Sequence, residues 1–357
     1  MVAVSWTAGL VALLATFSSA TAKPCRSGPG VCEKPYVRKE WRNLSNPQKE
    51  KYIKAVQCLM EKPSTAGMAA VRNRYEDFVA THIVQTEAVH FTGIFYPFHR
   101  LLLLEYEKAL WECGWDRRLG QPFWDWTLDT ESDAKFLSSP VFDKKLGFGG
   151  NGAFIPGNLS HPELPGHVGG PPFDLPDRSG GGCLEDGPFA GLKTQLGPLN
   201  DTEVKAERCI RRDFSPRSLA RFGSRAQVDA AMQIGDYGTF ERVTDSQTFH
   251  PAGHWATGGL YGTMTDTYAS PGDPVFYLHH SNVDRAWWSW QQRDLGRRQR
   301  EMDGPLFMFD YANALGGNAT LDTPVWVGLA GQRVEFKAGE LLHLQKGPLC
   351  YTYESIY

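Results

Sequence analysis

Seven of the ten histidines fall into two clusters. His82, His90 and His99 form the first, and His250, His254, His279 and His280 the second, while His161, His167 and His343 stand apart. Neutral imidazole binds zinc, copper, iron and nickel, so three converging rings make a candidate metal site. His250 and His254 are four residues apart. On a helix that is a rotation of about 40°, so both rings leave one face. Two partly buried structural histidines would share this spacing, and the pair alone decides nothing. His280 and Asp284 repeat it, which lets the carboxylate lie beside that ring and fix its tautomer, as a metal-bound imidazole requires.

The first cluster needs a break in the chain. His90 and His99 are nine residues apart, about 900° on one helix, which would point their rings to opposite sides. Thr92-Gly93 supplies the interruption and Pro97 suits the start of a new helix. With His82 at the end of the preceding helix, three rings arrive from two helices and a loop. No H-E-x-x-H is present: Pro251, Ala252 and Gly253 separate His250 from His254, so a hydrolytic zinc site lacks its usual base. Neither triad contains a thiolate, which argues against a blue-copper centre. Two all-imidazole triads point to a pair of copper ions.

Helices must hold these rings. Ser45 and Pro47 can start one that runs to about Met60. Helical patterns follow at roughly 68–85, 95–113, 224–235, 249–254 and 274–293. Residues 143–200 are dense in Gly and Pro and read as a long folded-back loop. Short β-type runs, such as Val334-Glu335-Phe336, occupy 321–357. The predicted class is mainly α: a core of about four helices, long loops and a few short strands, with the metal site in the bundle interior.

The formal net charge of −3 offers no basic excess for nucleic acid or an anionic membrane. Residues 1–22 read as a signal peptide, with an apolar run over Leu10–Phe17 and a cleavage pattern at Ala20-Thr21-Ala22. A single domain over 23–357 and a secreted, extracellular protein are expected. Sequons place possible N-glycans at Asn43, Asn158, Asn200 and Asn318. Seven cysteines fit an oxidising compartment and leave at least one unpaired within the chain. Cys25 and Cys32 are expected to be bridged, whereas buried free thiols suit Cys58 and Cys113.

At these residues the sequence resembles the tyrosinase and catechol oxidase (polyphenol oxidase) family, in a short secreted form of the fungal type. His90-x8-His99-Arg100 with Glu107 resembles its copper A signature, departing from it at Tyr96, where a smaller or aliphatic residue is usual. Asp273 to Asp284 resembles the copper B signature. The resemblance covers roughly residues 35–300. It implies a dicopper (type-3) centre, with copper A on His82, His90 and His99 and copper B on His250, His254 and His280. His279 would be a neighbour of the site rather than a ligand. Pro122-Phe123-Trp124-Asp125-Trp126 resembles a core segment of the family, and packing is the simpler role for its rings. Tyr351-x-Tyr353 resembles the motif that closes the catalytic core, with Arg38 as its partner, and no C-terminal shielding domain is expected after it.

The implied reaction is oxidation of phenols by O2, with small phenols as substrates. Ala88 stands where many relatives carry the cysteine of a thioether link to the second copper A ligand. Pro251 stands where relatives with strong monophenol hydroxylation often carry Asn, and Trp255 follows the second copper B histidine. Diphenol oxidation with weak or absent monophenol hydroxylation is therefore expected. Glu241, nine residues before His250, is the candidate match to a glutamate that orders an active-site water, and a solvated surface Glu fits it equally. Ligand imidazoles must be neutral, so copper affinity is expected to weaken as pH falls through about 6.5. Competing readings are a full tyrosinase, an o-aminophenol oxidase, a haemocyanin-like O2 carrier and a secreted zinc hydrolase.

Overall fold

The computed structural model describes residues 32–157 and 174–357. The expected signal peptide, Cys25, the sequon at Asn158, His161 and His167 lie outside the described residues. Among the described residues the α-helices of five or more residues are α1 (Asn46–Glu61), α2 (Arg74–Val89), α3 (Phe95–Glu112), α4 (Asp133–Leu137), α5 (Pro216–Phe222), α6 (Arg225–Met232), α7 (Tyr237–Ser246), α8 (Phe249–Gly258) and α9 (Val275–Gln292). Three two-stranded sheets pair β1 (Tyr36–Arg38) with β6 (Tyr351–Tyr353), β2 (Lys193–Thr194) with β3 (Arg208–Cys209), and β4 (Pro324–Val327) with β5 (Val334–Lys337). The mainly helical class is thus observed. The helices α2, α3, α8 and α9 surround one interior, and each lends it histidines.

Local chemistry sets the ends of these helices. The Ser45 N–H donates to Gln48 Oε1 at 2.9 Å, closing the first turn of α1. The helix read from residue 68 begins only at Arg74, because Asn73 caps it by accepting the Glu76 N–H at 3.0 Å. It also runs on to Val89, so His82 sits mid-helix rather than at its end. The helix α7 was not anticipated. Asp236 starts it by accepting the Thr239 N–H at 2.8 Å.

A buried polar knot ties the chain ends to the bundle. The strands β1 and β6 run parallel with Arg38 opposite Tyr353. Arg38 donates to Glu107 at 2.9 and 3.0 Å, to Asp284 at 3.0 Å and to the Tyr353 hydroxyl at 3.0 Å. Arg100 donates to the other Asp284 oxygen at 2.6 Å. Such charges persist in a dry interior because each has an opposite partner. Around it the core is aromatic: Tyr106 and Tyr277 stack at 3.6 Å, and Phe123, Trp124 and Trp126 are fully buried.

Three disulfides staple the fold: Cys32–Cys350, Cys58–Cys113 and Cys183–Cys209. The pairing of Cys58 with Cys113 corrects the expectation of free thiols. The end of α1 meets the end of α3 with a Cα separation of 5.9 Å, which suits a bridge. No described helix is long and apolar enough to cross a membrane.

Candidate metal centre

The helix break read between His90 and His99 is present. The helix α2 ends at Val89, Phe91 takes φ 54° and α3 begins at Phe95. The turn brings three rings together: His82, His90 and His99 lie with centroids 4.9, 5.6 and 5.0 Å apart. On α8, His250 and His254 are 4.8 Å apart, and His280 of α9 lies 5.1 and 5.3 Å from them. The two groups abut, with His99 stacked on His280 at 4.2 Å. His279 joins the second group, so four buried imidazoles crowd there. It is accommodated because residue 253 is glycine: a Cβ there would overlap the His279 ring.

The hydrogen bonds of the rings say what they can bind. His82 Nδ1 faces Tyr268 O at 2.7 Å, His99 Nδ1 faces Phe95 O at 2.8 Å and His90 Nδ1 faces Thr86 O at 3.2 Å. His250 Nδ1 faces Asp245 O at 2.8 Å and His254 Nδ1 faces Met264 O at 2.7 Å. A carbonyl accepts only, so each Nδ1 carries the proton and each Nε2 keeps a free lone pair. The Nε2 atoms of His82, His99 and His250 are buried without a partner. The Nε2 atoms of His254 and His280 face each other at 3.1 Å. Burying several lone pairs without donors is costly, and a cation ligated by Nε2 in each group resolves it. The donor set is nitrogen only, which suits copper.

Electrostatics agree. Burial pushes the His90 and His250 imidazoles down to about 4, and it pushes His82, His99, His254, His279 and His280 well below the usual range, with neighbouring rings adding to the effect in most of them. Every ring is therefore neutral and ligand-ready at ordinary pH, and the expected acid threshold near 6.5 moves lower.

Two carboxylates sit where spacing alone did not put them. Asp284 is not beside His280. Its oxygens accept from Arg38, Arg100, Tyr351 and Tyr353, and His280 Nδ1 has no partner. Burial opposes its charge, but Arg100 and Arg38 hold Asp284 below the usual carboxylate range. Glu241 is fully buried and is pushed well above the usual range by burial and by the neighbouring Asp245. It stands one helical turn behind the site. The carboxylate that reaches the rings is Asp245, with Oδ1 at 3.0 Å from His250 Nδ1 and Oδ2 accepting the Phe91 N–H. Burial raises Asp245 to about 6. The spacing Glu241–Asp245 is one α-helical turn, so recognising α7 would have exposed Asp245 as well.

A cavity of about 210 Å³ opens onto the rings. It is lined by His90, His250 and His254, by the anticipated Pro251 and Trp255, and by Phe91, Asp245 and Phe309 among others. His82, His99 and His280 lie behind this wall.

Comparison with known proteins gives a consistent result. A family profile described as "Common central domain of tyrosinase" matches residues 72–293. The chain is 34% identical over 342 residues to "Tyrosinase-like protein phomQ1" of Diaporthe leptostromiformis, covering 91% of this chain and 79% of the relative. It is 33% identical over 345 residues to "Tyrosinase P" of Aspergillus terreus, covering 90% and 93%. Among solved structures, a single-site mutant of a polyphenol oxidase from Thermothelomyces thermophila superimposes with a TM-score of 0.74 at 30% identity, covering 90% of this chain and 89% of that one.

Proposed function

The chain belongs to the tyrosinase family of dicopper oxidases, and from that membership we propose that it oxidises o-diphenols to o-quinones and hydroxylates monophenols slowly or not at all. We assign copper A to His82, His90 and His99, and copper B to His250, His254 and His280. What carries the reading is the pattern of unpartnered Nε2 atoms, each set by an Nδ1 tied to a carbonyl. Bound there, a copper pair supplies the transfer of electrons from phenol to O2. Two catechols give up four electrons and four protons, and one O2 becomes two waters.

The chain's own residues position and shield. His90, His250 and His254 present their side of the site to the cavity, so substrate docks on the copper B side. Trp255 and Phe309 make the walls broad and apolar. Hydroxylating a monophenol needs a base to take the phenol proton. Pro251 has no side-chain acceptor; Asp245 Oδ2 accepts the Phe91 N–H, while Oδ1 lies 3.0 Å from His250 Nδ1, whose proton faces the Asp245 carbonyl. We place Asp245 as the carboxylate beside His250, with Glu241 behind it as its buried neighbour.

Initial rates on catechol and phenol, with copper content measured on the same sample, test the proposal. Two coppers per chain and faster turnover of catechol are expected; faster turnover of phenol would overturn it. We further propose a single secreted domain over 23–357. The three disulfides support an oxidising compartment, and Asn43, Asn200 and Asn318 are exposed as glycan acceptors must be.

A further inference from the structure

We propose that Phe309, stacked on Phe91 at the cavity wall, makes this enzyme select uncharged phenols that carry a second aromatic ring. The inference rests on the phenol-oxidase reading above and adds the substrate class to it.

Four observations carry it. Phe309 is 53% exposed, although it lines the same cavity as the ligand histidines. A half-wet phenylalanine at a binding cavity gains when an apolar ligand covers it. Its ring lies 4.2 Å from that of Phe91 at an interplanar angle of 20°, so the two form a flat, pre-ordered platform, and a further ring can continue the stack.

Next, the platform is held by strained backbone. Phe91 and Phe309 both lie in the left-handed region, at φ 54° and φ 62°, where bulky residues are rare. The strain is offset locally. The Phe309 N–H donates to Phe91 O at 3.3 Å, the Phe91 N–H donates to Asp245, and the Gly93 N–H donates to Pro305 O at 2.9 Å. Phe91 directly follows His90, and Asp245 also touches His250. The aromatic face is therefore fixed relative to one ligand of each proposed copper.

Third, the Phe91 ring lies 6.4 Å from that of His90, so this face begins beside the histidines. A substituent para to one hydroxyl gives a ring that can cover it. Fourth, no Lys or Arg lines the cavity among the described residues, while a buried carboxylate, Asp245, does. A substrate with its own carboxylate would find no counter-ion and one repelling charge. The favoured extension is aromatic and neutral.

The test compares catechol with 4-benzylcatechol on the copper-loaded enzyme, and resorcinol with 4-benzylresorcinol on copper-free protein by calorimetry. The meta-diphenols report binding without oxidation. In the wild type, KM for 4-benzylcatechol should be at least about tenfold lower than for catechol, with kcat nearly equal for the two; tenfold is about 1.4 kcal/mol. The calorimetric pair should show the same ratio. Phe309→Gly removes the ring and adopts positive φ freely, so the loop keeps its path; it should shrink both ratios to within about threefold of one. Phe309→Tyr should restore them. A wild type without preference, or a preference undiminished in Phe309→Gly, overturns the proposal. Should no catechol be oxidised, the oxidase reading fails on its own, and the calorimetric ratio still decides whether Phe309 selects the second ring.

Discussion

The two halves of the metal centre reach the same end by different routes. In the first, two of three rings are aimed by their own helical turn: His90 and His99 each meet the carbonyl four residues back, at Thr86 and Phe95. In the second, His254 is aimed by Met264 in the following loop, and His250 by the backbone and side chain of Asp245 in the preceding helix. The first half contributes one ring to the cavity wall and the second contributes two. The buried half is thus largely self-oriented by local geometry. The half that meets substrate depends on neighbouring segments and on a titratable group, which makes it the adjustable one.

Removing a ligand from either half is the largest expected effect. His99→Gln and His254→Gln should each cost about a thousandfold or more in kcat, because several kcal/mol of metal-dependent stabilisation disappear. They should differ in which copper stays: His99→Gln keeps the second-half metal, His254→Gln the first. Metal analysis with a copper-sensitive spectrum reads this. Two coppers retained by either variant would break the assignment.

Acidification comes next. Unfolded histidines titrate near 6.5, whereas burial lowers His90 and His250 to about 4 and holds the other five well below the usual range. Between these values the unfolded chain binds protons that the folded chain refuses, so stability falls as pH drops from about 6.5 toward 4. Asp245, raised to about 6, and Glu241 work in the opposite sense, since the folded state holds their protons more tightly. Seven imidazoles outweigh two carboxylates. His90 and His250 alone each cost on the order of 3 kcal/mol by pH 4. Calorimetric melting of copper-free protein between pH 7 and pH 4 should show a steep loss of Tm; a flat profile would mean that the rings are wet.

A smaller effect separates the halves. Gly253→Ala forces a methyl into the His279 ring and strains only the contact between α8 and α9. A cost of about 3 kcal/mol is expected, read as a lower Tm and as weakened copper at the second site with the first site kept. Equal loss at both sites would show that the halves are mechanically one.

How much of this could be read in advance follows the same division. The spacings His250–His254 and His90–His99, with Thr92-Gly93 between, state their geometry outright, because helical rotation and a forced break are local matters. The ends of α3 and α9 were legible for the same reason. The helix α7 was hidden: its run from Tyr237 to Ser246 mixes Gly, two Thr and three charges with few apolar residues, and packing rather than propensity sustains it. Missing it left Glu241 without its neighbour Asp245. The partner proposed for His280 failed for a related reason. A spacing of four residues put Asp284 on the right face, but Arg38 and Arg100, 246 and 184 residues away, claimed its oxygens. Pairing of Cys58 with Cys113 likewise required knowing how α1 crosses α3.

Asp245 offers the finest test of the contrast. Its Oδ2 accepts the Phe91 N–H and its Oδ1 lies 3.0 Å from His250 Nδ1, whose proton the Asp245 carbonyl already accepts. Asn keeps the size but presents a donor on one side, so one of those contacts turns repulsive. Loss of a partner that orients a metal-bound imidazole costs about ten- to hundredfold in metal affinity. Asp245→Asn should therefore weaken the second copper by up to that factor, with the carbonyl of residue 245 still holding His250, and weaken the first less, since the side chain reaches His90 only through the Phe91 N–H. Glu241→Gln, one turn further from the rings, should change affinity less than Asp245→Asn. Competition with a chelator on each variant measures both. If Glu241→Gln costs more, the carboxylate that orients His250 acts through its buried neighbour, and the adjustable half extends one turn deeper into α7.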